Sequence, residues 1–225
     1  MTSPLLPARS FAAFLFDMDG TLLDSIAVTN RIWTDWARRH GLDPAPVLAV
    51  MHGVRAIETV RRFLPDGDHA HEVAVLTRDE LADVDGIRAI PGAVPFVAGL
   101  PRERWAVVTS APRELALLRL AAAGLPVPDL VVTAEDVSRG KPAPDCFRLA
   151  AERLGADPAD CLVFEDAPAG IAAAEAAGST VVVIGATHAH PMRSPHPVIP
   201  GYTGLATASD ARGWLLPRSV ERAAA

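Results

Sequence analysis

A chain of 225 residues in which half of the residues are apolar and the net charge is −6 fits one globular unit, or a core with a smaller insertion. These values argue against wholesale disorder and against a broad nucleic-acid-binding surface, and a phosphate-bearing ligand would need a local positive site. Two cysteines, Cys146 and Cys161, are too few for a disulfide framework and favour a reducing compartment. Because the start resembles neither a signal peptide nor a membrane span, we expect a cytoplasmic protein without a membrane partner.

The first predicted element is a short apolar run at residues 12–16, and four similar runs follow later in the chain. All five are continuous rather than alternating, which is typical of strands covered on both faces of a parallel sheet. The later runs occupy residues 105–109, 130–133, 161–164 and 180–184.

The segment from residue 25 to residue 90 interrupts this pattern and is predicted to be mostly helical. Apolar and small side chains recur at helical spacing in IAVTNRIWTDWARRHGL, including Thr29, Trp33 and Trp36. We interpret Trp33 and Trp36 as core residues of this segment rather than as a stacking surface for a ligand. The expected organisation is a discontinuous core, residues 1–24 and 91–225, with an inserted α-helical cap domain, residues 25–90.

Helices are predicted between the later strands. Three stretches each have a proline near the start and a glycine at the end, namely Gly124, Gly155 and Gly178, which is the usual punctuation of helices. Alternating strands and helices predict an α/β fold in which a Rossmann-like parallel sheet is flanked by helices.

Side chains suited to chemistry follow several of these strands, where ligands of such sheets bind. Asp17 and Asp19 come directly after the first run. Two close carboxylates repel each other unless a cation or a proton lies between them. The other side chains at strand ends, or in the loop after the third run, are Thr109, Ser110, Lys141, Glu165 and Asp166.

Four segments, in this order, resemble the sequence motifs of the haloacid dehalogenase superfamily: DMDGTLLDS, VVTSAPR, RGKPAPD and VFEDAPAGIAAAEAAG. The resemblance extends over nearly the whole chain, and the combination of motifs is highly specific. Within the superfamily, MHGVRAIETVRRFLP and EDAPAGI look most like the sugar-phosphate and polyol-phosphate phosphatases, including the 2-deoxyglucose-6-phosphatase and glycerol-phosphatase group. The resemblance implies a Mg²⁺-dependent phosphoric monoester hydrolase that acts on a small phosphorylated sugar or polyol.

The resemblance also implies roles for the acidic residues. Asp17 would attack phosphorus to give a phospho-aspartyl intermediate, and Asp19 would be the general acid and base. The magnesium ligands would be Asp17, Asp166 and Asp19, the last through its backbone carbonyl. Glu165 would be either a further ligand or a support for the other ligands.

The remaining catalytic residues implied by the resemblance are Thr109 and Lys141. Thr109 would hold phosphoryl oxygens, and Lys141 would offset negative charge on the phosphoryl group and on Asp17. Together with the metal, Lys141 would be the local positive site that a negatively charged chain needs. Further phosphate-binding positions are Met18, Ser110 and Ala111, although Ser110 is also placed to cap the helix that follows.

In the inserted segment, His52, Gly53 and Arg55 match the substrate-facing loop of the sugar phosphatases, with a solvated loop as the alternative. Arg113 either faces the substrate or lies on a helix surface. Asp24 is interpreted as structural, for example as a cap of the next helix.

The stretch THAHPMRSPHP contains His188, His190 and His196. Because cysteine partners and helical spacing are missing, we interpret it as a proline-rich surface loop rather than a zinc site.

Three functions remain open from the sequence. A phosphatase transfers the phosphoryl group to water, a β-phosphoglucomutase-like isomerase returns it to another hydroxyl of the sugar, and a phosphate-binding protein transfers nothing. Such mutases carry a cap histidine at the place of Thr29, which argues against a mutase, and a dehalogenase would lack Asp19. We expect a monomer, with a dimer as the alternative, and no nucleic-acid partner.

Overall fold

The computed structural model describes residues 6–188, 190 and 193–219, and ten strands lie within them. In chain order the strands are β1 (Ala13–Phe16), β2 (Leu23–Asp24), β3 (Arg88–Ala89), β4 (Trp105–Val108), β5 (Leu130–Val132), β6 (Cys161–Glu165), β7 (Thr180–Ile184), β8 (Val198–Ile199), β9 (Leu205–Ser209) and β10 (Leu215–Ser219). Six of them form a parallel sheet in the order β5-β4-β1-β6-β7-β8. The predicted fold class is confirmed.

Eight α-helices lie within the described residues: α1 (Ile26–Arg39), α2 (Pro44–Met51), α3 (Ala56–Phe63), α4 (His69–Ala82), α5 (Ala93–Ala98), α6 (Arg113–Ala122), α7 (Asp145–Arg153) and α8 (Pro168–Ala177). We call α1–α4, which lie between β2 and β3, the inserted helices. The three helices predicted between the later strands are α6, α7 and α8. They are followed by Gly124, Gly155 and Gly178, whose φ angles are positive, so the predicted helix ends are confirmed.

The first strand explains why its apolar run is continuous. All four residues of β1 are buried, and successive side chains point to opposite faces of the sheet. Phe14 and Phe16 belong to one hydrophobic core, whereas Leu15 belongs to a second core on the other face. Phe16 also stacks on Phe164 of β6, with ring centroids 4.7 Å apart. The sheet is therefore covered on both faces, as the sequence pattern predicts.

Two tryptophans of α1 form the centre of the inserted helices. Trp33 and Trp36 are buried and pack edge to face, with ring centroids 5.4 Å apart. The Nε1–H of Trp36 donates to Oε2 of Glu72 on α4 at 2.9 Å, which joins the first of these helices to the last. Both tryptophans pack in this core, and the interpretation that they are core residues rather than ligand-facing ones is confirmed for Trp36.

Both connections of the inserted helices pass through one short ribbon. β2 pairs with β3 in antiparallel fashion, so the chain leaves and re-enters at neighbouring positions. Asp24 contributes twice, since its carboxylate pairs with Arg88 at 2.9 Å and accepts the N–H of Ile26, at the start of α1, at 3.2 Å. These contacts agree with a structural role for Asp24.

The last strands of the described chain are not predicted from the sequence. β8 extends the sheet, and β9 and β10 form a separate antiparallel hairpin. The hairpin escapes prediction because its strands carry few large apolar side chains, and because Pro217 in β10 argues against a strand unless the strand lies at an edge. Among the described residues, no helix has the length and apolar character needed to cross a bilayer. Cys146 and Cys161 are buried free thiols.

Candidate active site

The parallel register gathers three strand ends at one edge of the sheet. Phe16 pairs with Phe164, and Asp17 continues this pairing by donating its N–H to the carbonyl oxygen of Phe164 at 3.0 Å. Asp17 therefore lies beside Glu165, the last residue of β6. Thr109 directly follows β4, which pairs with the other side of β1.

Lys141 is the cation at the centre of this edge, and only 1% of its side chain is exposed. Its Nζ donates to Oδ1 of Asp17 at 2.6 Å, to Oε1 of Glu165 at 2.8 Å and to the carbonyl oxygen of Val108 at 3.1 Å. These acceptors use all three N–H groups of the ammonium. Burial acts to lower the pKa of Lys141, but the carboxylates of Asp17 and Glu165 outweigh it and raise the pKa, so the lysine stays charged.

Asp17, Glu165 and Asp166 form a buried acidic cluster, in which one oxygen from each side chain lies within 4.8 Å of the others. When ionised, three carboxylates against the single ammonium of Lys141 leave an excess of two negative charges. A buried excess of this size needs a cation, and hard oxygen ligands are those that Mg²⁺ prefers. The donor set therefore fits the magnesium ion that the sequence resemblance implies.

The members of this acidic cluster differ in how many oxygens remain free. Glu165 accepts from Lys141 through Oε1, and its Oε2 accepts the N–H groups of Asp166 and Ala167 at 2.8 and 2.9 Å. Asp166 accepts the hydroxyl of Thr21 through Oδ1 at 3.0 Å, and its Oδ2 has no hydrogen bond within the described residues. Asp166 thus has an oxygen to offer a metal, whereas Glu165 holds its neighbours in place.

Burial also changes the protonation of this cluster. It raises the pKa of Asp17 to about 7, although the charge of Lys141 acts in the opposite direction. It raises the pKa of Asp166 well above the ordinary range, and the charge of Glu165 adds to this effect. Without a divalent cation, the cluster therefore holds protons near neutral pH.

Asp19 has different partners from Asp17, although only Met18 separates them. Its Oδ1 accepts the hydroxyl of Ser25 at 2.5 Å and a guanidinium N–H of Arg119 at 3.0 Å. Met18 is fully buried, and its carbonyl oxygen accepts three N–H groups of the following turn. Because the Asp19 side chain lies outside the acidic cluster, only its backbone carbonyl is left for the predicted metal contact.

The loop after β4 carries the predicted phosphate-binding residues Thr109, Ser110 and Ala111, and all three line one cavity. The N–H of Ala111 donates to Oγ1 of Thr109 at 3.1 Å. The hydroxyl of Ser110 donates to the carbonyl oxygen of Gly53 at 3.0 Å, which joins the core to the loop between α2 and α3. Ser110 does not cap α6, whose N-terminus has no side-chain cap.

Of the predicted substrate-facing residues, His52 and Gly53 line the same cavity. His52 contacts Oδ1 of Asn30 through Nε2 at 3.1 Å, and burial lowers the pKa of His52, which favours the neutral ring. Gly53 has a φ of +78°, and a Cβ at this position would lie only 2.6 Å from Cβ of Ala167. The loop thus approaches the start of α8 as closely as a glycine permits.

Arg55 lies outside this cavity. Its guanidinium donates to Oε1 of Glu58 at 2.8 Å and to the carbonyl oxygen of Val137 at 3.2 Å. It lines a second, smaller pocket together with Lys141. The structure therefore shows Arg55 joining the inserted helices to the core, and its predicted contact with substrate stays a prediction.

The cavity lies between the sheet edge and the inserted helices, and its empty volume of about 580 Å³ includes the opening to solvent. Trp33 reaches its wall, so this tryptophan lines the cavity as well as packing in the core. Polar lining residues that are not predicted as site residues from the sequence are Ser25, Thr29, Glu80 and Arg119.

Arg119 is the most informative of these missed residues. It is only 4% exposed and belongs to the buried stripe of α6 that includes Leu115 and Leu120. The available signal was an arginine at a core position inside the apolar stretch LALLRLAA. Arg113, the arginine considered from the sequence, instead pairs with Asp136 at 2.8 Å and lies outside the cavity.

The histidine-rich stretch does not contribute to this site. His196 contacts Glu175 through Nε2 at 2.7 Å. Residues 189, 191 and 192 lie outside the described residues, so part of this predicted surface loop is not described. Within the part of the chain that the structure describes, no histidine joins a group of three potential metal ligands.

A family model described as haloacid dehalogenase-like hydrolase matches residues 11–178. The chain belongs to the haloacid dehalogenase-like hydrolase family. It is 46% identical over 181 residues to hexitol phosphatase A of Escherichia coli (strain K12), a match that covers 77% of this chain and 82% of that protein. It is 36% identical over 188 residues to glycerol-1-phosphate phosphohydrolase 2 of Saccharomyces cerevisiae, covering 78% and 75%.

A solved structure of a hydrolase has a similar fold. The crystal structure of a hydrolase from Pseudomonas syringae matches with a TM-score of 0.70 and 29% identity, covering 77% of this chain and 84% of that chain. The family resemblance predicted from the four motifs is therefore confirmed. Phosphatases of the haloacid dehalogenase-like family generally use Mg²⁺, and a phospho-aspartyl mechanism is typical of them.

Proposed function

We propose that this protein is a Mg²⁺-dependent phosphatase that hydrolyses small sugar or polyol phosphate monoesters. The observation that carries the proposal is the buried arrangement of Asp17, Lys141 and Asp166 at the carboxyl end of the sheet, next to a cavity that Asp17 and Asp19 line. The substrate class is supported by the relatives named hexitol phosphatase and glycerol-1-phosphate phosphohydrolase. We also propose that residues 25–90 act as a cap domain on a core of residues 1–24 and 91–225.

The proposed metal site uses the oxygens that the protein leaves free. The side chains of Asp17 and Asp166, with the backbone carbonyl of Asp19, would hold Mg²⁺, and Glu165 would support them through Lys141 and two backbone amides. The ion would neutralise charge on the phosphate ester, which otherwise repels an anionic nucleophile.

The chemical steps follow from the two aspartates. Asp17 attacks phosphorus while the bond from phosphorus to the leaving oxygen breaks, and Asp19 gives its proton to that oxygen. In the second step Asp19 takes a proton from water as the water oxygen attacks phosphorus, and the bond between Asp17 and phosphorus breaks. Inorganic phosphate leaves, and both aspartates return to their starting forms.

The other predicted residues would hold the substrate. Thr109 would contact the phosphoryl group and Lys141 would offset its charge, with Met18, Ser110 and Ala111 as further phosphate-binding positions. His52 and Gly53 would face the sugar or polyol, because both line the cavity. Arg55 would act on substrate preference indirectly, by fixing the loop that carries these two residues.

The experiment that tests this function is phosphate release from a panel of hexitol, glycerol and 2-deoxyhexose phosphates, with Mg²⁺ and with a chelator. Release that depends on Mg²⁺, with near-complete loss in Asp17→Asn, is expected. Asp145→Asn is the matched control, because Asp145 pairs with Arg139 on the surface at 2.7 Å.

Isomers of the sugar phosphates are followed in the same reactions. Interconversion with little phosphate release would instead show a mutase and would mean that Thr29 does not exclude one. The absence of any Mg²⁺-dependent reaction in the wild-type protein would contradict catalysis and leave phosphate binding as the function.

A further inference from the structure

Arg119 connects the candidate acid–base residue of the core to the inserted helices. Its Nη1 donates to Oδ1 of Asp19 at 3.0 Å, and its Nη2 donates to Oγ1 of Thr29 at 3.2 Å. Nη2 also lies 3.4 Å from Oε1 of Glu80. Thr29 belongs to α1 and Glu80 to α4. One buried guanidinium therefore contacts Asp19 of the core and the first and last of the inserted helices.

A buried charged residue such as Arg119 contributes little to stability at a core position, because burying its charge costs free energy. Arg119 lies four residues after Leu115 on the buried stripe of α6, and Glu80 lies four residues after Leu76 on that of α4. A buried ion pair is often no more stabilising than well-packed apolar residues of similar volume. In addition, Nε of Arg119 has no hydrogen-bond partner within the described residues. These features indicate a role in the site rather than in fold stability.

The contacts of Asp19 distinguish its two oxygens. The hydrogen bonds that its side chain receives within the described residues, from Ser25 and Arg119, both end on Oδ1. The guanidinium of Arg119 can only donate, so it favours an unprotonated Oδ1, and a proton carried by this carboxyl group lies on Oδ2. Two donors on one oxygen also restrict rotation of the carboxyl group. Oδ2 is therefore left to meet the substrate in a fixed orientation.

We propose that Arg119, held by Glu80 and Thr29, is a positioning residue that orients the Asp19 carboxyl group so that Oδ2 faces the leaving oxygen of the substrate. This inference rests on the proposed function, which gives Asp19 its acid–base role. In the first step, Oδ2 gives its proton to the ester oxygen as the bond from that oxygen to phosphorus breaks and the bond from Asp17 to phosphorus forms. Arg119 itself exchanges no proton.

The test compares three phosphate monoesters with Mg²⁺ present: a polyol phosphate, a simple alkyl phosphate without hydroxyl groups, and an aryl phosphate with an acidic leaving group. For Arg119→Met, kcat/KM should fall about 10- to 100-fold on the polyol and alkyl esters, because their leaving oxygens need the proton. The aryl ester should lose less than about 3-fold, because its leaving group departs without protonation. Arg113→Met is the control on the same helix and should match wild type on all three.

Two further variants keep the test decisive. Glu80→Gln removes the charge that holds Arg119 but keeps the shape, and it should give the same leaving-group pattern with smaller losses. In an Asp19→Asn background, Arg119→Met should cause no further loss on the alkyl ester, because residues that act as one unit are not additive. If Arg119→Met does not fold, Glu80→Gln and its combination with Asp19→Asn decide.

Other patterns would overturn the inference. Equal losses on all three esters, with lower thermal stability, would show a merely structural role. A loss confined to the polyol ester would show that Arg119 binds substrate hydroxyls, and additive losses with Asp19→Asn would show that it does not act through Asp19. A wild-type protein inactive on all three esters would overturn the proposed function and this inference with it, whereas the other results overturn the inference alone.

Discussion

Nζ of Lys141 lies 2.6 Å from Oδ1 of Asp17, and both side chains are buried. The same ammonium lies 2.8 Å from Oε1 of Glu165, so one cation serves carboxylates from two neighbouring strands. The proposed nucleophile is thus held by a contact that also balances charge in the core. Changes to this contact should therefore affect stability and activity together.

Replacing Lys141 with methionine should lower the free energy of unfolding by about 3–5 kcal/mol at pH 8 in the presence of a chelator, because it leaves the buried carboxylates of Asp17 and Glu165 without their cation. Turnover should also be lost. Arg139→Met is the matched control, since it breaks an exposed pair with Asp145 that contributes little to stability. Urea denaturation measures the free energy of unfolding of both variants. Equal losses in Lys141→Met and Arg139→Met would contradict a special contribution of the buried lysine.

The stability of the metal-free protein should fall as pH rises from 4.5 to 7.5. The folded-state pKa of Asp17 is about 7 against 3.8 for an ordinary aspartate, so the proton that stabilises the folded state is lost in this range. The loss is at most about 4 kcal/mol for this group. Asp166, whose pKa is also raised, acts in the same direction. Carboxylates with lowered pKa, such as Asp136, are already ionised in this range.

Urea denaturation at several pH values, with a chelator and with Mg²⁺, measures this effect. Mg²⁺ should remove most of the slope, because the ion replaces the protons on the acidic cluster. Asp17→Asn should flatten the chelator curve, since its amide does not titrate. A chelated wild-type protein whose curve matches that of Asp17→Asn over this range would show that Asp17 is ionised without metal.

Asp166, which directly follows β6, should be needed for magnesium binding. Asp166→Asn should raise the Mg²⁺ concentration for half-maximal activity by about 10- to 100-fold or more, because Oδ2 of Asp166 is free to bind the ion. Asp145→Asn, on the surface, should leave it unchanged. Magnesium titrations of phosphate release give the result, and an unchanged requirement in Asp166→Asn would remove it from the ligand set.

The sequence predicted most of this fold because the strands of the parallel sheet are apolar on both faces and the helices end in glycine. It also predicted which side chains follow the strands, because the residues after a strand can be read directly from the sequence. Arg119 and Glu80 were missed because each lies on a helix stripe where core residues are expected, and their partners are distant in sequence. The hydrogen bond between Arg55 and the carbonyl oxygen of Val137 was missed because the two residues are distant in sequence.

Gly53→Ala should disturb the site through one atom. The added Cβ would lie 2.6 Å from Cβ of Ala167, and neither side chain can rotate away, so the loop must move from the cavity. We expect a several-fold higher KM for the polyol phosphate. The positive φ of Gly53 adds a backbone cost of about 1–2 kcal/mol, independent of this contact.

Gly41→Ala separates these two effects, because Gly41 has a φ of +67° with nothing within 4 Å of the added Cβ. Both variants should lose stability through the backbone cost, Gly53→Ala more because of the added contact, but only Gly53→Ala should change KM. The double variant Gly53→Ala with Ala167→Gly removes the opposing atom and should recover much of the wild-type KM while keeping the backbone cost. If Gly41→Ala and Gly53→Ala gave the same kinetics, the close approach of this loop to α8 would have no part in substrate binding.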